Sequence, residues 1–123
     1  MPRRRLRSLA LACLFTAVGG AAAHAHAFLD HAQPAVGSTL AVPPTQVRIW
    51  FTEALETAFS TITVTDAQGR SVGQGQAAVD AKDPTLLEIG LSPLPVGTYR
   101  VQWRVISVDT HPTEGDFTFT VQP

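Results

Sequence analysis

Four consecutive residues, Asp109, Thr110, His111 and Pro112, interrupt the most regularly alternating apolar part of the chain. A carboxylate and an imidazole two positions apart, with Pro112 disfavouring helical geometry at His111, project to one side of an extended segment and make half of a metal site. The same residues also suit an ordinary capped turn with a solvated histidine. The start of the chain offers further ligands. Arg3, Arg4, Arg5 and Arg7 precede an apolar run over residues 9–18, and small residues then lead to Ala23-His24-Ala25. This is the pattern of a secretory signal over residues 1–25 with an A-x-A cleavage site, and the run is shorter than the roughly 20 residues that a membrane-spanning helix needs. Cleavage after Ala25 makes His26 the N-terminus; a cut after Ala23 would expose His24 instead. An N-terminal histidine offers its free amine and its own ring nitrogen to one ion, closing a chelate that no internal histidine can make. Together with His111 and Asp109 the donors are nitrogen-rich with one carboxylate oxygen. Cu(II) prefers such a mixed set over the tetrahedral sulfur-rich sites of zinc or the oxygen shells of calcium.

These residues must be held by strands. Tyr99, Val101, Trp103 and Val105 fall on every second position before the polar cluster, and Phe117, Phe119 and Val121 do so after it. Each set lines one face of an extended chain, so the cluster is the connection of a hairpin or corner. Val47, Ile49 and Phe51, then Ile62 and Val64, then Leu87, Ile89 and Leu91 repeat the pattern. A short first strand is expected near Phe28 and Leu29, followed by an irregular crossing through Pro34, Gly37 and Ser38. Residues 53–59 suit either one helical turn or a loop. The Gly-rich polar stretch 70–84 suits a hairpin tip or weak edge strands. About seven short strands without a helical period predict an all-β, Greek-key β-sandwich or barrel over residues 26–123.

Removing 1–25 leaves 98 of the 123 residues, enough for one small domain, and takes away Cys13 and Met1, the only cysteine and methionine. An exported domain without disulfides depends on its apolar core. Five basic and ten acidic residues remain, a net charge of −5. That argues against nucleic acid and anionic membrane surfaces as partners, and suits a cation. There is no G-x-S-x-G, no phosphate-binding loop, no cysteine nucleophile and no histidine pair at metalloprotease spacing. The acid pairs Asp80 with Asp83 and Glu114 with Asp116 lie in loop-like stretches and read as solvated faces. His31 reads as a surface polar residue.

The run His26-Ala27-Phe28-Leu29, the stretch Pro34-Ala35-Val36-Gly37-Ser38, Phe51-Thr52-Glu53, Gly97-Thr98-Tyr99, and Trp103-Arg104 leading into Ser107-Val108-Asp109-Thr110-His111-Pro112 resemble the CopC family of periplasmic copper-resistance proteins. The likeness spans essentially all of residues 26–123. It implies a cupredoxin-like or immunoglobulin-like sandwich, periplasmic localisation and a single Cu(II). It also implies His26, Asp109 and His111 as ligands, an acidic residue near the site at Glu53, and cleavage before His26. Implied partners are the copper ion itself and an inner-membrane CopD-like copper transporter or another periplasmic copper protein, the chain being a monomer. Some members of the family carry a Met-rich loop for Cu(I). The matching Gly/Gln-rich stretch here has no thioether, so a Cu(II)-only carrier is expected; an anionic Asp109 among the ligands favours a carrier over an enzyme, because it occupies a position that oxygen chemistry needs open. Two other classes compete: a histidine-brace copper oxidase, and an exported sandwich module without metal.

Overall fold

The computed structural model describes residues 26–123. The expected signal segment, 1–25, lies outside the described residues. Period-two alternation of apolar side chains produces two four-stranded sheets facing each other. One has the order β1 (Leu29–Gln33), β3 (Gln46–Phe51), β6 (Leu86–Leu91), β5 (Gly73–Val79). The other runs β2 (Thr39–Leu40), β8 (Pro112–Val121), β7 (Gly97–Ile106), β4 (Thr61–Thr65). The chain changes sheet at every step from β1 to β5 and again between β6 and β7, a Greek-key type of winding that leaves β5–β6 and β7–β8 as sequential antiparallel hairpins. The eighth strand, beyond the seven expected, is β2, two residues in the predicted irregular crossing that pair parallel to the end of β8. Residues 53–59 resolve as a loop with a 3-10 turn at Thr57–Phe59.

Every alternating set named above faces the core. Val47, Ile49 and Phe51 of the first sheet pack against Val101, Trp103, Val105, Phe117, Phe119 and Val121 of the second. The Gly-rich stretch contributes β5, an edge strand mostly exposed, as its composition requires. Two interactions key the sandwich. The buried Tyr99 hydroxyl donates to the Pro95 carbonyl at 2.6 Å, closing the turn that launches β7. Burial also pushes the Tyr99 phenol up, with the nearby Asp66 charge adding to it. Trp103 sits edge-to-face on Phe51, 5.1 Å between ring centroids. The room for its indole comes from Gly115, its cross-strand partner, where a Cβ would lie 2.5 Å from the ring. Among the described residues no helix is long and apolar enough to cross a membrane.

Candidate metal centre

The β7–β8 hairpin ends its ladder at Ile106 paired with Pro112, which leaves residues 107–111 as a loop at one end of the sandwich. Ser107 turns inward and is only 1% exposed. Its hydroxyl donates to the Asp109 carboxylate, and its N–H donates to the His111 carbonyl at 3.3 Å. The Thr110 N–H returns to the Ser107 carbonyl at 2.8 Å, and the turn closes with Thr110 at φ +71°. A β-branched residue in the left-handed region is strained, so the surrounding contacts must hold it there. The loop therefore fixes Asp109 through one oxygen and points the other, Oδ2, at His111 Nδ1, 3.4 Å away. The Ser107 hydrogen bond holds the Asp109 carboxyl below its ordinary value. Partial burial opposes this, and the His111 contact adds to it. Asp109 is thus anionic wherever a histidine is neutral, which a cation ligand requires.

A second segment crosses this loop. Ala27 is fully buried, and its carbonyl accepts the Thr113 hydroxyl at 2.5 Å. Thr52 grips both sides of Ala27, donating its hydroxyl to the His26 carbonyl at 3.3 Å and accepting the Phe28 N–H at 3.0 Å. These bonds lay residues 26–28 over the end of the sandwich and bring the His26 ring to 4.6 Å from the His111 ring, centroid to centroid, at 74°. Glu53 follows Thr52 on the adjoining segment, which pairs with the loop through the Val108 N–H to the Ala54 carbonyl at 3.1 Å and the Leu55–Ser107 bridge. It is half-buried, and among the described residues its carboxylate makes no hydrogen bond or ion pair.

The four expected residues therefore gather at one end of the fold, His26 beside His111, His111 beside Asp109, and Glu53 on the neighbouring strip. They do not form a finished coordination shell. Among the described residues no group of three or more His, Cys, Asp and Glu could hold a metal ion as placed. One donor of the expected set, the His26 amine, is not a side chain at all and exists only once the preceding residues are removed.

Three positioning residues escaped the reading of the sequence: Ser107, Thr52 and Thr113. Ser107 carried only the local signal that serine is a frequent turn residue whose hydroxyl bonds within its own turn. Thr52 and Thr113 carried none, because they reach their partners across 24 and 86 residues. The remaining polar candidates have structural employment. His31 pairs with Asp30 at 2.7 Å and stacks on Trp50 on the outer face of β1 and β3. Asp80 accepts the N–H groups of Lys82 and Asp83, Asp83 caps Thr85, and Glu114 and Asp116 lie in strand β8 rather than in the expected loop-like stretch, Asp116 pairing with Arg100.

Comparison with known proteins identifies the family. The family model for the CopC domain matches residues 29–122. Copper resistance protein C of Pseudomonas syringae pv. tomato is 40% identical over 108 residues, covering 83% of this chain and 85% of that protein. The crystal structure of CopC from Methylosinus trichosporium OB3b superposes with a TM-score of 0.74 at 37% identity, covering 80% of this chain and 95% of that one. The structure of PcoC from Escherichia coli, described as a methionine-rich copper resistance protein, gives 0.70 at 36% identity over 80% of this chain and 100% of that one. The sandwich and these matches lead to one conclusion: the chain is a member of the CopC family.

Proposed function

We propose that the mature protein is a periplasmic Cu(II) carrier that starts at His26 and holds the ion through the His26 amine and imidazole, His111 and Asp109. The observation that carries this reading is the meeting of the His26 and His111 rings at 4.6 Å beside the Asp109 carboxylate, which the Ser107 hydroxyl orients. Two imidazoles and one carboxylate at a loop that faces solvent suit an ion that is loaded and released. The contact between Asp109 Oδ2 and His111 Nδ1, at 3.4 Å longer than a strong hydrogen bond, is one that a cation can replace. Glu53, on the adjoining strip, is a supporting carboxylate that raises the local negative charge or hydrogen-bonds a ligand.

The chemistry of the set favours storage over turnover. The residues 26–123 contain no cysteine or methionine, so no soft ligand is available to stabilise Cu(I). This departs from PcoC, whose description names its methionines. An anionic oxygen donor in the shell lowers the reduction potential of the bound ion, which makes cycling through Cu(I) slow. The role is buffering the ion or delivering it to an inner-membrane transporter or another periplasmic protein.

N-terminal sequencing of exported protein, with EPR of its Cu(II) form, tests this directly. A start at His26 and an axial signal with nitrogen coupling are expected. A version that keeps Ala25 retains every side chain but loses the free amine, and its Cu(II) affinity should fall at least tenfold. Equal affinity would remove the amine from the ligand set, and sustained substrate oxidation with a reductant would replace the carrier reading with the histidine-brace one.

A further inference from the structure

The charge of residues 26–123 is not spread evenly. Arg48 with Glu88 and Arg100 with Asp116 are ion pairs in mid-sheet, and Arg70 shares the β4–β5 turn with Asp66, which accepts its N–H. These three pairs cancel. The seven acids and two bases left over, a net −5, all lie toward the end that carries His26 and His111. Asp30 is the second residue of β1 there, Glu53 and Glu56 follow β3, and the loop with Asp80 and Asp83 is drawn to the same end by the Phe51 N–H to Thr85 carbonyl and Leu55 N–H to Pro84 carbonyl bonds, both 2.9 Å.

Within this acidic end stand three exposed apolar side chains. Phe28 is 56% exposed, Val108 57% and Phe59 65%. Phe28 and Val108 lie on either side of residues 52–54, to which both are hydrogen-bonded through their backbones. Phe59 ends the 3-10 turn, and Glu56 just before that turn donates its N–H to the carbonyl of Ile106, the last residue of β7, at 2.8 Å. The fold has a core for such residues and leaves these outside it.

We infer that the acidic, Phe-bearing end of the sandwich is a docking face for a protein partner that presents apolar residues ringed by lysine or arginine, and that cargo is passed through this contact. Charge decides the occupant. A second copy would set −5 against −5, and an anionic membrane or nucleic acid is repelled for the same reason. A basic protein surface is attracted, and the exposed Phe28, Val108 and Phe59 supply the apolar contact that charge alone does not. The three valines exposed at the other end, Val36, Val42 and Val96, lack this charge. The inference rests on the proposed maturation at His26, because an attached leader carries four arginines that would offset most of the negative charge.

The test is site-specific photocrosslinking in the native host. The full chain carries a benzophenone amino acid at Phe28, Val108 or Phe59, with Val42 and Val96 as controls at the opposite end. Expected is one protein adduct from the first three positions, absent from the controls, whose crosslinked peptide on sequencing contains apolar residues flanked by lysine or arginine. Glu56→Lys together with Phe59→Ser should cut its yield at least tenfold, and inverting the basic residues of the captured peptide should restore it to the Glu56→Lys chain. No adduct, an adduct with a second copy or with lipid, an adduct only from Val42 or Val96, or a captured peptide without basic residues overturns the proposal. A Cu(II) titration of the double variant separates this outcome from failure of the metal site. Affinity within twofold of native is expected, because neither residue is a ligand or holds one.

Discussion

Replacing Gly115 with alanine would build a methyl carbon 2.5 Å from Trp103 Cζ2 and 2.8 Å from its Cε2. Carbon atoms in contact sit at roughly 3.5–4.0 Å, so the ring or β8 must move by about 1 Å. Trp103 has little freedom to yield. It is 9% exposed, and Phe51 of the opposite sheet closes its far side. Overpacking a core costs typically about 1–3 kcal/mol, and a rigid ring between two sheets places this case near the top, at about 2–3 kcal/mol. A domain of this size is stable by about 5–15 kcal/mol, so the variant should fold, with a melting temperature lower by roughly 10–20 °C. Urea and thermal unfolding of residues 26–123 followed by circular dichroism measure this. The mechanism is tested by a cycle with Trp103→Phe, whose smaller ring leaves a void that the new methyl can occupy. The double variant should therefore be more stable than the sum of the single losses by about 1 kcal/mol or more. A Gly115→Ala loss below about 0.5 kcal/mol, or strict additivity, would refute the packing argument.

Three further outcomes follow from the loop. Thr110→Asn should stabilise the protein by about 0.5–1 kcal/mol, because asparagine tolerates the left-handed backbone at φ +71° better than a β-branched residue, and denaturant midpoints with an unchanged slope report it. Ser107→Ala should let the Asp109 carboxyl rise toward its ordinary 3.8. In the native protein the lowered value means that ionised Asp109 adds stability above about pH 3.8, and this is lost as pH falls through the lowered value; the variant should lose part of it, and should release Cu(II) at higher pH, as NMR titration of Asp109 and metal titrations at stepped pH would measure. Asp109→Asn keeps the shape and removes the charge, so Cu(II) binding should weaken by tenfold or more and the Cu(II)/Cu(I) potential should rise, read by competition titration and voltammetry.

Much of this architecture was written in local pattern. The alternation at Val47-Ile49-Phe51, at Tyr99 through Val105 and at Phe117 through Val121 specified which faces are buried, because a strand has a period of two whatever its neighbours are. The loop identity of Asp109 to His111, just before Pro112 opens β8, was equally local, since proline and turn-forming residues act on their own backbone. Glu53 could be placed at a strand end, but not beside the Asp109 loop, because that proximity comes from the Val108–Ala54 and Leu55–Ser107 pairing. Strand β2 was invisible, as two residues pairing parallel to a distant strand have no period to read. The same limit applies to Thr113, which reaches Ala27 across 86 residues, and to Gly115, whose lack of a side chain is explained only by the indole of Trp103 across the ladder. Sequence pattern records what a residue needs from its own backbone and its burial. Which carbonyl a threonine finds, which ring a glycine admits, and how the charge collects at one end are decided when the two sheets close on each other.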